Sequence, residues 1–195
     1  MPPVNTVVTG VGGQGVVSAT DIISIVALKA GYDVKKSDVH GMAQRGGAVT
    51  SFVRYGEKVY SPIIEQGTAD FLIALEEMEA LRGINFLKDN GTVILSDFHT
   101  PPPDVALGFK RYPGHIQEVL GKMKPAVKCY RTGVVSMLEE HPGYSINVFL
   151  LGVYARFQSY EKMVWLEAIR QRFKKPDKAI ESFLYGYEKH IKEIV

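Results

Sequence analysis

Val4-Asn5-Thr6-Val7-Val8-Thr9-Gly10-Val11-Gly12-Gly13-Gln14-Gly15-Val16-Val17 opens the chain with a β-branched run, a cluster of glycines and the start of a long apolar stretch. β-Branched side chains suit an extended, pleated backbone, so Val4–Thr9 predicts a buried strand. Val16–Ala30 is apolar nearly all round and predicts a helix covered on every side. It ends at Gly31, where a left-handed cap costs glycine little. Strand, glycine turn and buried helix make the first half of an α/β unit, and this decides the fold class.

Working outward, Tyr32–Val39 reads as a weak second strand and Ala48–Tyr55 as a third. A turn at Gly56-Glu57-Lys58 and a β-rich Val59–Ile64 predict that the third strand forms a hairpin with the segment after it. Pro62 cannot donate to a ladder, which puts that segment at an edge or a strand end. Asp70–Leu75 and Thr92–Leu95 are continuous apolar runs, the mark of parallel strands covered on both faces. Met78, Leu81 and Leu87 between them predict the buried side of a helix ending near Gly91. Pro101-Pro102-Pro103 predicts a stiff exposed connection, and Ala126–Tyr130 a last strand. Ile146, Phe149, Leu150, Val153, Tyr154 and Phe157 follow helical spacing, as do Ile180, Phe183, Leu184, Tyr187, Ile191 and Ile194, with Pro176 suited to a first turn. The expected architecture is a single α/β domain over residues 1–195, three-layered and Rossmann-like, with a mixed, mostly parallel sheet and C-terminal helices.

With 46% hydrophobic and 23% charged residues in a chain of 195, disorder and fibrous repeats are excluded. The 23 basic and 21 acidic side chains leave a net charge of +2, which exerts no general pull on nucleic acid. Cys129 is the sole cysteine, so neither an internal disulfide nor the four thiolates of an iron-sulfur cluster can come from this chain. Met1-Pro2-Pro3-Val4-Asn5 lacks a secretory pattern, and the apolar stretch Ile146–Ala155 is far short of the roughly 20 residues that span a bilayer. A reducing, cytoplasmic protein without a membrane partner is expected. His99, His115, His141 and His190 show no metal-ligand spacing, so no metal site is expected. Cys129 reads as a buried, inert thiol, Asp97 as a turn cap or a ligand group, and the basic end formed by Arg170, Arg172, Lys174 and Lys175 as a solvated helix end.

Two loops carry functional groups. Gly10, Gly12, Gly13 and Gly15 fit a G-x-G-x-x-G spacing between a strand and a helix, where free amides and the helix dipole suit an anion. The same glycines would also let the helix pack tightly on the strand. Gln14 offers an amide donor and acceptor inside the loop. A dinucleotide-binding fold places an acid about 20 residues further on. Here the second strand reads Val34-Lys35-Lys36-Ser37, a pair better suited to phosphate than to ribose. The second loop, Asp38-Val39-His40-Gly41-Met42-Ala43-Gln44-Arg45-Gly46-Gly47, sets His40, Gln44 and Arg45 among glycines. Arg45 brings a fork of donors for a carboxylate or phosphate, and His40 a proton or a hydrogen bond. No residue stands out as catalytic.

These two motifs, together with Tyr60-Ser61-Pro62-Ile63-Ile64, resemble the small subunits of the 2-oxoacid:ferredoxin oxidoreductases. The His-Gly-Met-Ala-Gln-Arg-Gly-Gly form is most similar to the beta subunits of their indolepyruvate branch, the gamma-domain type. The likeness covers Val4–Asp97 with specific motifs and runs more loosely to the C-terminus. It implies oxidative decarboxylation of an aryl 2-oxo acid, coenzyme A accepting the acyl group and ferredoxin the electrons. It also implies that thiamine diphosphate and iron-sulfur clusters reside in a large alpha subunit, and that the isolated chain is inactive. The glycine loop would then face phosphate or a neighbouring subunit, and His40–Gly47 the partner's cofactor site. There Arg45 would meet either the oxo-acid carboxylate or a coenzyme A phosphate. From the residues alone, a self-contained NAD(P)- or flavin-binding enzyme, or a nucleotide-sensing module, stands as the alternative. An apolar C-terminal helix face would suit a partner or a second copy of the chain.

Overall fold

The computed structural model describes residues 2–41, 47–101, 105, 107–109, 111–189 and 192–193. β1 (Val4–Val11) leads through the glycine loop into α1 (Val16–Lys29). Gly31, at φ +84°, closes α1 with a bond from its N–H to the Leu28 carbonyl at 3.0 Å, and Tyr32 N–H reaches Ala27 at 3.1 Å. These paired bonds satisfy carbonyls that a helix end leaves open. β2 (Asp33–His40) and β3 (Ala48–Gly56) come next, then β4 (Ala69–Ala74), α2 (Glu77–Gly83) and β5 (Leu87–Ser96). α3 (Ile116–Met123), β6 (Lys128–Thr132), α4 (Val134–Glu140), α5 (Ile146–Ala155), α6 (Lys162–Arg172), α7 (Asp177–Glu188) and β7 (Lys192–Glu193) complete the described order.

The strands form one sheet in the order β2-β3-β1-β4-β5-β6-β7. β1, β4, β5 and β6 are mutually parallel, β3 runs antiparallel between β1 and β2, and β7 is antiparallel to β6. Five of the seven strands therefore point the same way, as expected of a mixed, mostly parallel α/β sheet. Period-two alternation sorts the core into two layers. Val8, Ile73, Leu75 and Ile94 pack with α1 and α4–α7, whereas Val7, Leu72, Ala74, Val93 and Leu95 pack with α2 and α3. Trp165, Tyr154, Phe149 and Phe183 are the bulkiest fully buried side chains and fill the first layer.

Three expectations need correction. The last helix ends at Glu188 instead of running on to Ile194, because Lys192–Glu193 pair with β6, which is therefore not the last strand. β3 pairs with β2 and β1, not with Val59–Ile64, which forms no strand. Both ladder edges of β3 are already filled, and the backbone of the segment after it is satisfied by side chains. Arg54 donates to the Ser61 and Ile63 carbonyls at 3.1 and 2.9 Å, and Asp33 accepts Val59 N–H at 3.0 Å. The helix after β4 ends at Gly83, not near Gly91, and a single 3-10 turn leads straight into β5. Its buried residues include the small Ala80 and Gly83, because a Cβ at Gly83 would lie 2.7 Å from Leu72. Of the bulky residues read as its buried face, Met78 and Leu81 are half-buried and Leu87 belongs to β5.

The closest approach of backbones is between α5 and α7. A Cβ at Gly152 would sit 2.1 Å from the Phe183 carbonyl oxygen, and one at Gly186 equally close to that of Phe149. No rotamer change relieves a clash with backbone, so Gly152→Ala is expected to lower the unfolding free energy by about 3 kcal/mol or more in a urea titration. Cys129 is fully buried and burial pushes its thiol up to about 12, so it stays protonated at pH 8. The folded chain should react with a thiol reagent at least about a hundredfold more slowly than the unfolded chain; equal rates would contradict this packing.

Candidate functional site

The carboxyl ends of β1, β4 and β5 share one rim of the sheet with the junction of β2 and β3. β3 brings the second loop there: Val11 faces Ala48 across the ladder, and His40 faces Val49. Gly12 N–H donates to the Gly47 carbonyl at 2.9 Å, and Gly41 N–H to that of Ala48 at 2.9 Å. Two motifs far apart in sequence are thus fastened backbone to backbone. They enclose a cleft of about 650 Å³ whose walls include Gly12, Gly13, Gly15, Ser18, His40 and Gly41. His40 is exposed at the end of β2. Gln44, Arg45 and Gly46 lie outside the described residues; Gly41 and Gly47 on either side of them are held against the rim.

The glycines divide by role. Gly10 sits where a Cβ would come within 2.9 Å of Val16 and 3.1 Å of Leu75, and so lets α1 pack on the strands. Gly15 has φ +86°, and a Cβ there would lie 2.5 Å from Asn147 Nδ2, which donates to the Gly15 carbonyl at 3.0 Å. Gly13, at φ +101°, would meet nothing within 4 Å. Its requirement is conformational, and the space above it is open. α1 begins without a side-chain cap and without an acid in its first turn, which leaves the positive end of a 14-residue helix facing the cleft. An anion is the group this arrangement accommodates.

Gln14 turns inward. Its Oε1 accepts Val11 N–H at 2.8 Å and its Nε2 donates to Thr100 Oγ1 at 3.3 Å, so the amide braces the loop against the segment after β5. Lys35 and Lys36 are also engaged: Lys35 with Asp33 at 2.7 Å, Lys36 with Asp21 at 2.6 Å and Asp38 at 3.2 Å. Asp38 further accepts Ser51 Oγ at 2.5 Å. In a dinucleotide fold the strand bearing the ribose acid lies directly beside β1, a place that β3 occupies here. This geometry does not suit a dinucleotide. Asp97 caps α4 by accepting Val135 N–H at 2.9 Å.

Sequence reasoning misses Glu76, which stands after β4 at the same rim and is 1% exposed. An acid directly after an apolar strand run and directly before a helix is an N-cap signal. Tyr112 donates to it, and burial together with that carboxylate holds the Tyr112 hydroxyl far above its ordinary range. The described residues contain no group of three His, Cys, Asp or Glu side chains able to hold a metal, and no helix long and apolar enough to cross a membrane.

Known proteins share this sequence and fold. Residues 5–189 match the family described as Pyruvate ferredoxin/flavodoxin oxidoreductase. The indolepyruvate oxidoreductase subunit IorB of Archaeoglobus fulgidus is 37% identical over 193 residues, covering 96% of this chain and 95% of that one. IorB of Thermococcus kodakarensis is 43% identical over 128 residues, 66% of this chain, and the match spans 61% of the relative's length. The crystal structure of pyruvate oxidoreductase subunit PORC from Thermotoga maritima superposes with a TM-score of 0.72 at 18% identity, covering 98% of each chain, which shows a common fold. With both signature loops inside the matched span, the chain belongs to the pyruvate ferredoxin/flavodoxin oxidoreductase family.

Proposed function

We propose that this chain is the small, gamma-type subunit of an enzyme that oxidatively decarboxylates an aryl 2-oxo acid such as indolepyruvate, forming acyl-CoA and passing electrons to ferredoxin. The observation that carries this reading is the Gly12–Gly47 bond, which closes the glycine loop and the His40–Gly47 loop onto one cleft. The names of the IorB relatives supply the substrate class. The chain acts as one domain over residues 1–195 and works in the cytoplasm.

The residues of this chain do not fit an iron-sulfur cluster, since its one thiol is buried. Thiamine diphosphate and the clusters are assigned to a large alpha subunit, and electrons reach ferredoxin through the complex. What this chain contributes is binding and orientation. Gly13 and Gly15 keep backbone amides accessible at the α1 N-terminus, His40 offers a hydrogen bond at the opposite wall, and Arg45 engages an anion, either the oxo-acid carboxylate or a coenzyme A phosphate.

The reading is tested by expressing the chain with and without the large subunit and measuring viologen reduction by indolepyruvate and coenzyme A. Activity is expected in the pair alone; NAD(P) or flavin binding by the isolated chain, with no association, would refute it. In the active pair, Arg45→Ala should raise the apparent KM for one of the two anions by about ten- to a hundredfold, as expected for a lost charge-assisted hydrogen bond. Unchanged KM for both, with unchanged turnover, would remove Arg45 from this role.

A further inference from the structure

Glu76 links three strand ends at the rim. Its Oε2 accepts Met78 N–H at 2.7 Å and Glu79 N–H at 3.0 Å, which caps α2. Its Oε1 accepts Thr100 N–H at 3.1 Å and the Tyr112 hydroxyl at 2.5 Å. A carboxylate removed from water needs such donors, and here four are supplied. The chain of bonds does not stop there. Thr100 Oγ1 accepts from Gln14 Nε2, and Gln14 Oε1 accepts Val11 N–H. The same carboxylate that starts α2 is therefore three hydrogen bonds from the backbone of the glycine loop, although 62 to 65 residues separate it from Gln14 and Val11 in sequence.

Three amides of the loop are engaged within the fold, since the Gln14 N–H also donates to the Val11 carbonyl at 3.1 Å. With Val11 N–H bound by Gln14 and Gly12 N–H by Gly47, the loop cannot relax toward either neighbour, and Gly13 remains over open space. We propose that Glu76 is a positioning residue for the glycine loop, acting through Thr100 and Gln14 to hold the Gly13–Gly15 turn in place at the wall of the cleft. Its role in turnover rests on the cleft being the anion-facing edge proposed above; its effect on the loop's shape does not. Thr100 is exposed, so a merely structural account predicts that losing its hydroxyl changes nothing at Val11.

The test is amide hydrogen exchange on the full chain, read at Val11 by NMR, for Glu76→Gln, Thr100→Val and the double variant. Thr100→Val keeps the N–H that binds Glu76, so α2 stays capped and folding is retained even if Glu76→Gln unfolds. Val11 exchange is expected to quicken by about tenfold in Thr100→Val and in Glu76→Gln, with the double variant no faster than the quicker single. Unchanged exchange in Thr100→Val, or effects that multiply in the double, would overturn the inference. In the assembled enzyme, Thr100→Val should raise the KM for one anionic substrate by about three- to tenfold and leave kcat within twofold; a fall in kcat at constant KM would also overturn it. Should the wild-type pair prove inactive, the functional reading fails while the exchange measurement still decides the role of Glu76.

Discussion

The rim depends on β3 running antiparallel between β1 and β2. A doubly wound sheet ordinarily sets its second strand against its first, and the crevice beside them is shaped by one loop. Inserting β3 makes the junction of β2 and β3 the neighbour of the glycine loop, with Ala48 opposite Val11. The ladder thereby holds His40 and Gly41 at one end of the second motif, and Gly47 at the other, beside the first loop. It also displaces β2 and its carboxylates outward, where Asp38 meets Ser51 and Lys36 instead of a ligand. One strand's placement both builds the two-loop cleft and dismantles a dinucleotide site.

The glycine loop illustrates how a short motif divides its work. Gly10 serves close packing, Gly15 serves packing and a left-handed turn together, and Gly13 alone faces open space. The packing reading of a G-x-G-x-x-G pattern thus holds at Gly10 and Gly15, while Gly13 leaves open space beside the loop. Gln14 is the hinge between them, since its side chain belongs to the fold while its loop borders the cleft. What this loop presents to the cleft is backbone at the positive end of α1, with no side-chain cap and no acid in the first turn.

Much of the architecture was legible because its signals are local. A β-branched run marked β1, continuous apolar runs marked β4 and the centre of β5, Gly31 marked the end of α1, and the periodic C-terminal stretches marked α5 and most of α7. Strand partners were not legible, since Ala48–Gly56 is compatible in pattern with pairing to β2 before it or to Val59–Ile64 after it. Only tertiary context, Arg54 and Asp33 satisfying the backbone after β3, decides the matter. The end of α2 was missed for a similar reason: Gly83 is small because Leu72 and Thr9 lie against it, and neither is near in sequence. At the site, the two motifs were legible as residue types, but Glu76 was not, because its importance lies in four donors gathered from three separate segments.

The close approach of Gly152 and Gly186 has a reach beyond the two helices that make it. Asn147 on α5 holds the Gly15 carbonyl, and α5 is itself locked backbone to backbone by α7, which finishes at Glu188. The glycine loop is thus buttressed, through α5, by a helix far from it along the chain. A substitution that separates α5 from α7 would therefore loosen the anchor of the Gly15 carbonyl, so packing on one face of the sheet governs the shape of a loop at its rim.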